Sequence, residues 1–390
     1  MKNLDPYQII TIILSIAIIA SIGVFIYNIS FGGFGKAALS VDTQNGKANV
    51  IINGKEKGQT PVYTEELNAK NINVQVNGEG ASYSTIIKPA GGTLAVIKRE
   101  LGVGGVFSSG LNIWFTKGSG SESVISVISP DSENVSVIVD GVEMGKTPVK
   151  FSTGDLLKQN AEGKYVISFK KDRYQDQEVE VKVKPGYELN IRTDMFLKPL
   201  STEVVSLSGF GDGIRFVGFK GMTDAAFADR KVWAKAASYW LASRGAITFD
   251  GNKIEKVNYF LSDDGKIFNS EANEISVEDL KAESGNVIMY LGSASDSNIS
   301  DSAKSTIEKA TGQVVVTSEG AGGKGRIKIK PTGIGYLKVR SSASTGSSQI
   351  GKVDEGAVFN VIEAKSGWYK ITYETGKDGW VSGTYVENVD

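Results

Sequence analysis

A thirteen-residue motif written twice, at an offset of 87 residues and without a gap, constrains the fold of this chain more than any other feature. Val50-Ile51-Ile52-Asn53-Gly54-Lys55-Glu56-Lys57-Gly58-Gln59-Thr60-Pro61-Val62 matches Val137-Ile138-Val139-Asp140-Gly141-Val142-Glu143-Met144-Gly145-Lys146-Thr147-Pro148-Val149. Self-similarity at a fixed spacing marks two copies of one structural unit. The β-branched run forms a strand, and Asn-Gly or Asp-Gly supplies the positive φ of a tight hairpin turn. The second glycine lets the returning strand bend. Thr-Pro stiffens the exit, because proline fixes its own φ and pushes the preceding residue towards extended backbone. Each copy continues into residues of period two: Ile72–Val76 in the first, Tyr165–Phe169 and Val179–Val183 in the second. Lys184-Pro185-Gly186 separates the last of these from a strand near Leu189–Ile191. A small antiparallel β-sandwich is expected of each copy.

Ahead of the repeats, no charged side chain occurs between Asp5 and Lys36. As a helix rising about 1.5 Å per residue, Gln8–Tyr27 is long enough to cross a hydrocarbon core of about 30 Å. The reading is a single transmembrane helix at 8–27 that partners the lipid bilayer, with a cytoplasmic head at 1–7 and a spacer at 28–37. The other reading, a cleaved signal peptide, has against it a weak basic head and an apolar run longer than the usual one. The short head and long strand-rich tail favour a single-pass protein of the cell membrane, amino terminus cytoplasmic and bulk extracytoplasmic.

Lys+Arg 43 against Asp+Glu 44 gives no basic excess for nucleic acid. The chain has no cysteine and no histidine. That excludes disulfides, thiolate zinc sites, Ser-His-Asp and Cys-His hydrolases alike.

The Asn/Asp-Gly-x-x-x-Gly-x-Thr-Pro pattern, its paired strands and the Lys-Pro-Gly turn resemble the PEGA domain, a surface-associated β-domain. The copies are placed at 38–102 and 123–200. Arg173 stands before Tyr174 where the family carries glycine. The resemblance implies a spacer or adhesion module and no catalytic residue.

Residues 201–319 read as a central α+β domain. Thr223-Asp224 is its expected helix start, Ala225–Ser243 a helix ended by Gly245, and Ser262-Asp263-Asp264-Gly265 a hairpin turn. Val287–Leu291 is a buried-type strand, Asp301–Ala310 a short helix and Gln313–Val316 a strand. A link is expected at 320–333.

From 334 to 390, Leu337–Ser341, Val358–Val361, Gly367-Trp368-Tyr369-Lys370-Ile371 and Gly379-Trp380-Val381 are spaced like short strands of a small β-barrel. They resemble a bacterial Src-homology-3 domain, which implies binding of peptidoglycan, another envelope polymer or a protein partner. Ser342-Ala343 replaces the Gly-Pro that the family often shows after Arg-Ser. Trp368, Tyr369, Trp380, Tyr385 and Arg340 are the candidate ligand-binding residues, since aromatic faces stack on sugars and peptides. The competing reading, stronger for both tryptophans, is that they fill the barrel core; Arg340 also reads better as structural.

Other motifs read as structure. Asp263-Asp264-Gly265 and Asp296-x-Asn298-x-x-Asp301 lack the spacing of a calcium loop. Gly209-x-Gly211-x-Gly213 lacks the Lys-Ser/Thr of a phosphate loop. Ser168-x-x-Lys171 lies on a strand, not at a helix start. No metal ligand set, cofactor or catalytic residue is assigned. The expectation is a multidomain, mainly β, non-enzymatic, membrane-anchored surface protein, with a terminal barrel that binds cell-wall polymer or a peptide or protein partner. The alternative is a cell-envelope enzyme whose catalytic part is 201–319.

Overall fold

The computed structural model describes residues 35–389 except 157–161, 208, 211–212, 250–251, 295–298, 312–325, 366 and 375. The run at 8–27 lies outside these residues, and no helix among those described is long and apolar enough to cross a membrane. The chain divides into two compact units at Pro199 and Leu200. Both are mainly β, and α-helix occurs twice among the described residues.

In the first unit, the first copy forms β1 (Lys36–Gln44), β2 (Asn49–Ile52), β3 (Lys55–Gln59), β4 (Val62–Asn68), β5 (Ile72–Asn77), β6 (Ser82–Ile87) and β7 (Leu94–Gly104). β8 (Phe107–Lys117) follows. The second copy forms β9 (Val124–Ile128), β10 (Ser136–Val139), β11 (Val142–Lys146), β12 (Val149–Ser152), β13 (Lys164–Lys170), β14 (Gln177–Lys182) and β15 (Tyr187–Asp194).

The motif builds the same corner twice. Asn53 and Gly54, like Asp140 and Gly141, take positive φ at the turn between the paired strands. Each turn residue then ties down the third strand: Asn73 N–H donates to Asn53 Oδ1, and Val166 N–H to Asp140 Oδ1, both at 2.9 Å. The ladder slips one residue opposite Gly58 and Gly145, whose φ values of +96° and +133° identify the bend as a β-bulge. The motif threonines are buried hydrogen-bond partners. Thr60 Oγ1 accepts from Ala48 N–H at 3.2 Å, and Thr147 Oγ1 from Val135 N–H at 3.1 Å. The Thr60–Pro61 and Thr147–Pro148 peptides are both cis.

The two copies are not separate sandwiches. Each has its own four-stranded sheet, β3-β2-β5-β6 and β11-β10-β13-β14, but they share one seven-stranded sheet in the order β12-β9-β15-β8-β7-β1-β4. That sheet is mixed rather than antiparallel: β1 runs parallel to β7, and β15 to β9, because the chain crosses to the four-stranded sheet and back between them. Residues 103–122, which the sequence reading assigns to neither copy, supply the central strand β8, antiparallel to β7 and β15. Leu39, Val41, Ala95 and Ile97 on one face pack with Val50, Ile52, Val74 and Val76. Strand register places the buried Ile125, Val127, Leu189 and Ile191 on the opposite face, towards the second copy's own sheet. Mirrored order, common direction and opposed faces describe a pseudo-two-fold axis along β8.

A buried ionic cluster crosses this seam. Arg99, Gly110 and Asp194 lie in one row across β7, β8 and β15. Arg99 passes over Gly110 to reach Asp194 at 2.7 Å, with side chains 2% and 3% exposed. A Cβ on Gly110 would stand 2.7 Å from Arg99 Cδ and 2.3 Å from Lys98 O, so only glycine leaves the arginine room. Asp194 also accepts from Arg192 at 3.0 Å, and Tyr83 stacks 3.7 Å below the Arg99 guanidinium. Asn112, on β8, donates to Tyr83 Oη at 2.6 Å. Breaking one arm of such a buried pair costs about 3–5 kcal/mol, because the other charge loses its partner.

The second unit begins with β16 (Val204–Leu207), β17 (Arg215–Phe219), helix α1 (Arg230–Arg244), β18 (Ile247–Phe249), β19 (Asn252–Ile254), β20 (Tyr259–Ser262), β21 (Ile267–Asn269), β22 (Glu274–Ile275), β23 (Val287–Ser293) and helix α2 (Asp301–Thr311). Six strands form a sheet in the order β16-β17-β23-β20-β21-β22, with β23 parallel to both neighbours. Asp224 caps only a short 3-10 turn, Ala225–Phe227; the α-helix begins six residues later, where Asp229 accepts from Val232 N–H at 3.0 Å. Its buried face is Trp233, Ala234, Ala236, Ala237 and Leu241, and Gly245 ends it at φ +82°. The expected strand Gln313–Val316 and the glycine-rich part of the expected link lie outside the described residues.

The remainder is β24 (Arg326–Ile329), β25 (Tyr336–Arg340), β26 (Gln349–Asp354), β27 (Val358–Lys365), β28 (Trp368–Glu374), β29 (Lys377–Ser382) and β30 (Val386–Val389), in the order β26-β25-β29-β28-β27-β24-β30. Two expectations are corrected here. The stretch 326–329, read as link, is a sheet strand. Among the described residues the barrel is also not closed: β24 takes β27 on one side and β30 on the other, so β30 extends one end of the sheet instead of pairing with β26.

Candidate functional site

The five aromatic and basic candidates divide between the two faces of the C-terminal sheet. On β28, Ile371 is fully buried and Tyr369 packs beside it against the core of Ile327, Val339, Val381 and their neighbours. Burial pushes the Tyr369 phenol above its ordinary pKa. Strand alternation therefore turns Trp368 and Lys370 to the other face. On β29, Val381 is core and Trp380 is not part of that cluster, although it is only 9% exposed. The register sets Arg340, Trp380 and Lys370 directly opposite one another across β25, β29 and β28, with Trp368 opposite Ser382. Directly opposite residues share a face, and diagonal pairs such as Trp368 and Trp380 lie within reach of large side chains.

The register thus sets Trp368, Lys370 and Arg340 around Trp380, which is itself buried. Lys370 is held loosely by Asp378 at 3.8 Å. Arg340 Nη1 donates to Ser347 O at 2.6 Å, which ties it to the loop that carries Ser342 and Ala343. Tyr385 stands apart in the turn Gly383–Tyr385, 43% exposed. The sequence reading selected Trp368 and Trp380 but did not select Lys370; the alternation in Trp368-Tyr369-Lys370-Ile371 was the available signal. Of the two tryptophans read as core, Trp380 is buried, outside the cluster of Ile327 and Val339, and Trp368 is half-buried. Trp368 can stack on a sugar or peptide while the cations beside it meet carboxylates or phosphates.

A neighbouring turn is fixed by a carboxylate. Glu355 accepts from Thr332 N–H at 2.5 Å, Thr332 Oγ1 at 2.6 Å and Gly335 N–H at 3.1 Å. The Thr332 hydroxyl and amide hold its carboxyl below the usual carboxylate range.

The remaining motifs are engaged locally. Asp263 forms a two-pronged pair with Arg230, 2.7 Å from its Nε, and that hydrogen bond raises the guanidinium pKa. Asp264 bonds Ser262 in the hairpin turn. Ser168 donates to Glu178 at 2.9 Å, not to a lysine. Gly211, Asp296 and Asn298 lie outside the described residues, and among those described no three acidic side chains are placed to hold a metal ion.

The family model of the PEGA domain matches residues 36–99 and 123–196, and that of the bacterial SH3 domain matches 335–387. A comparison with curated proteins finds no match. The strand β8 falls between the two PEGA matches and belongs to neither. PEGA and bacterial SH3 domains together indicate an extracellular or surface protein that binds partners. The repeated corner with its buried threonines and the terminal seven-stranded sheet agree with these matches: the chain carries two PEGA domains and, beyond a segment that neither model matches, a bacterial SH3 domain.

Proposed function

We propose that the protein is a non-enzymatic, single-pass surface protein, held in the cell membrane by residues 8–27 with its bulk outside, whose terminal domain binds cell-wall polymer or an envelope peptide or protein. The observation that carries this reading is the order of parts: an uncharged twenty-residue run, then two PEGA domains, then a bacterial SH3 domain. Within the terminal domain, Trp368 supplies stacking surface over the buried Trp380, and Lys370 and Arg340 supply charge.

The test uses the full chain in detergent mixed with isolated cell walls. Unaltered protein should pellet with the walls, and Trp368→Ala combined with Lys370→Ala should weaken pelleting by at least about tenfold, the loss expected when a central aromatic anchor is removed. Equal pelleting of the folded double variant would move recognition off this face. Recovery of the unaltered chain in the soluble interior of fractionated cells would remove the anchor.

A further inference from the structure

We infer that the PEGA tandem is a tension-bearing strut, in which pull along the tether is carried as shear across one shared sheet. The inference rests on the anchored reading for its biological setting but not for its mechanics. Tension entering from the amino-terminal side reaches the sheet at Lys36, the first residue of β1; tension from the distal domains reaches it through Asp194, the last residue of β15. β1 is parallel to β7, and β7 and β15 are both antiparallel to β8, so β1 and β15 point the same way. The register places Lys36 near the level of Tyr187, at the end of β15 remote from Asp194. The two points of load are therefore at opposite ends of parallel strands. The rungs of β1/β7, β7/β8 and β8/β15 are stressed together instead of being opened one pair at a time.

The seam suits this loading. Arg99 on β7 reaches over Gly110 to Asp194 on β15, so the two strands flanking β8 are cross-linked at the point where load leaves the sheet. Asn112 ties β8 to Tyr83 of the covering sheet. Beyond Asp194, the chain is held again: Leu197 N–H donates to Val106 O and Lys198 N–H to Arg173 O. Two sandwiches joined by a flexible link would yield singly. One sheet with both sandwiches built on it does not present such a weak point.

The chain has no native cysteine, so introduced cysteines give unique handles for single-molecule pulling. Lys36→Cys with Thr202→Cys, the second an exposed position just past the tandem, loads the full-length protein in shear. Lys36→Cys with Asn68→Cys peels β1 from β4, because residues 36 and 68 are directly opposite. Rupture under force reports the unfolding barrier along the pulled direction. At one loading rate, the first pair should rupture at severalfold higher force than the second, and Arg99→Met, which leaves Asp194 paired to Arg192, should lower the shear force while leaving the peeling force unchanged. Equal forces in the two geometries would overturn the strut, and so would a shear force indifferent to Arg99→Met. Neither result bears on wall binding or membrane anchoring, which the pelleting and fractionation experiments decide separately.

Discussion

At Arg173, a non-glycine residue holds φ at +64°, in the left-handed region that the PEGA pattern reserves for glycine. The turn survives because it is fixed from both sides: Tyr174 N–H donates to Lys171 O, and Lys198 N–H to Arg173 O. The position thus keeps its backbone geometry and carries the strain of a Cβ. Arg173→Gly should raise unfolding free energy by about 0.5–1 kcal/mol, read from the denaturant midpoint. A lowered midpoint would show that the arginine side chain contributes more than the backbone loses. Sequence shows the substitution but not its consequence, because φ at one residue is set by neighbours 25 residues away as much as by the residue itself.

Among the elements, β8 carries the most instructive difference. Leu111, Ile113 and Phe115 alternate with Asn112, Trp114 and Thr116, a strand signal that the sequence reading left unassigned. Its partners were not legible, because alternation reports which residues share a face and says nothing of which strand lies alongside. β24, four residues beside a glycine-rich stretch, was read as link, and the helix start was placed at Thr223-Asp224 although Asp229 caps the helix. The turn before β25 shows how one side chain fixes an element. Glu355 has a folded pKa below its ordinary value, so its contribution is present above the unfolded value and is lost as pH falls through the folded one. Glu355→Gln should therefore lower the melting temperature of the full chain at neutral pH. The difference from the unaltered protein should shrink as pH drops below about 4.3, the ordinary glutamic acid value. A difference independent of pH would assign the effect to lost packing instead of charge.

For the whole PEGA tandem, the shared sheet predicts that the copies unfold together. Ile167→Ala removes a fully buried side chain from the second copy, a change that costs about 2–5 kcal/mol. Native-state hydrogen exchange of the full chain should then speed up in β1 of the first copy, at Leu39 to Val41, by a factor comparable to that in β13. Protection of β1 that is indifferent to Ile167→Ala would mean two folding units in spite of the common sheet.

The local parts of this protein were written in its residues: the repeated hairpin in Asn-Gly and Asp-Gly, the strands in their alternation, and the two recognisable domain types in glycine, tryptophan and Thr-Pro spacing. These depend on neighbours a few positions apart, where backbone sterics and side-chain period act directly. The assembly was settled by tertiary contact: which strand pairs with β8, which way Trp380 faces, why Gly110 must be glycine. Each of these rests on groups brought together from distant parts of the chain. Arg99 and Asp194, 95 positions apart, meet only after the sheet between them exists.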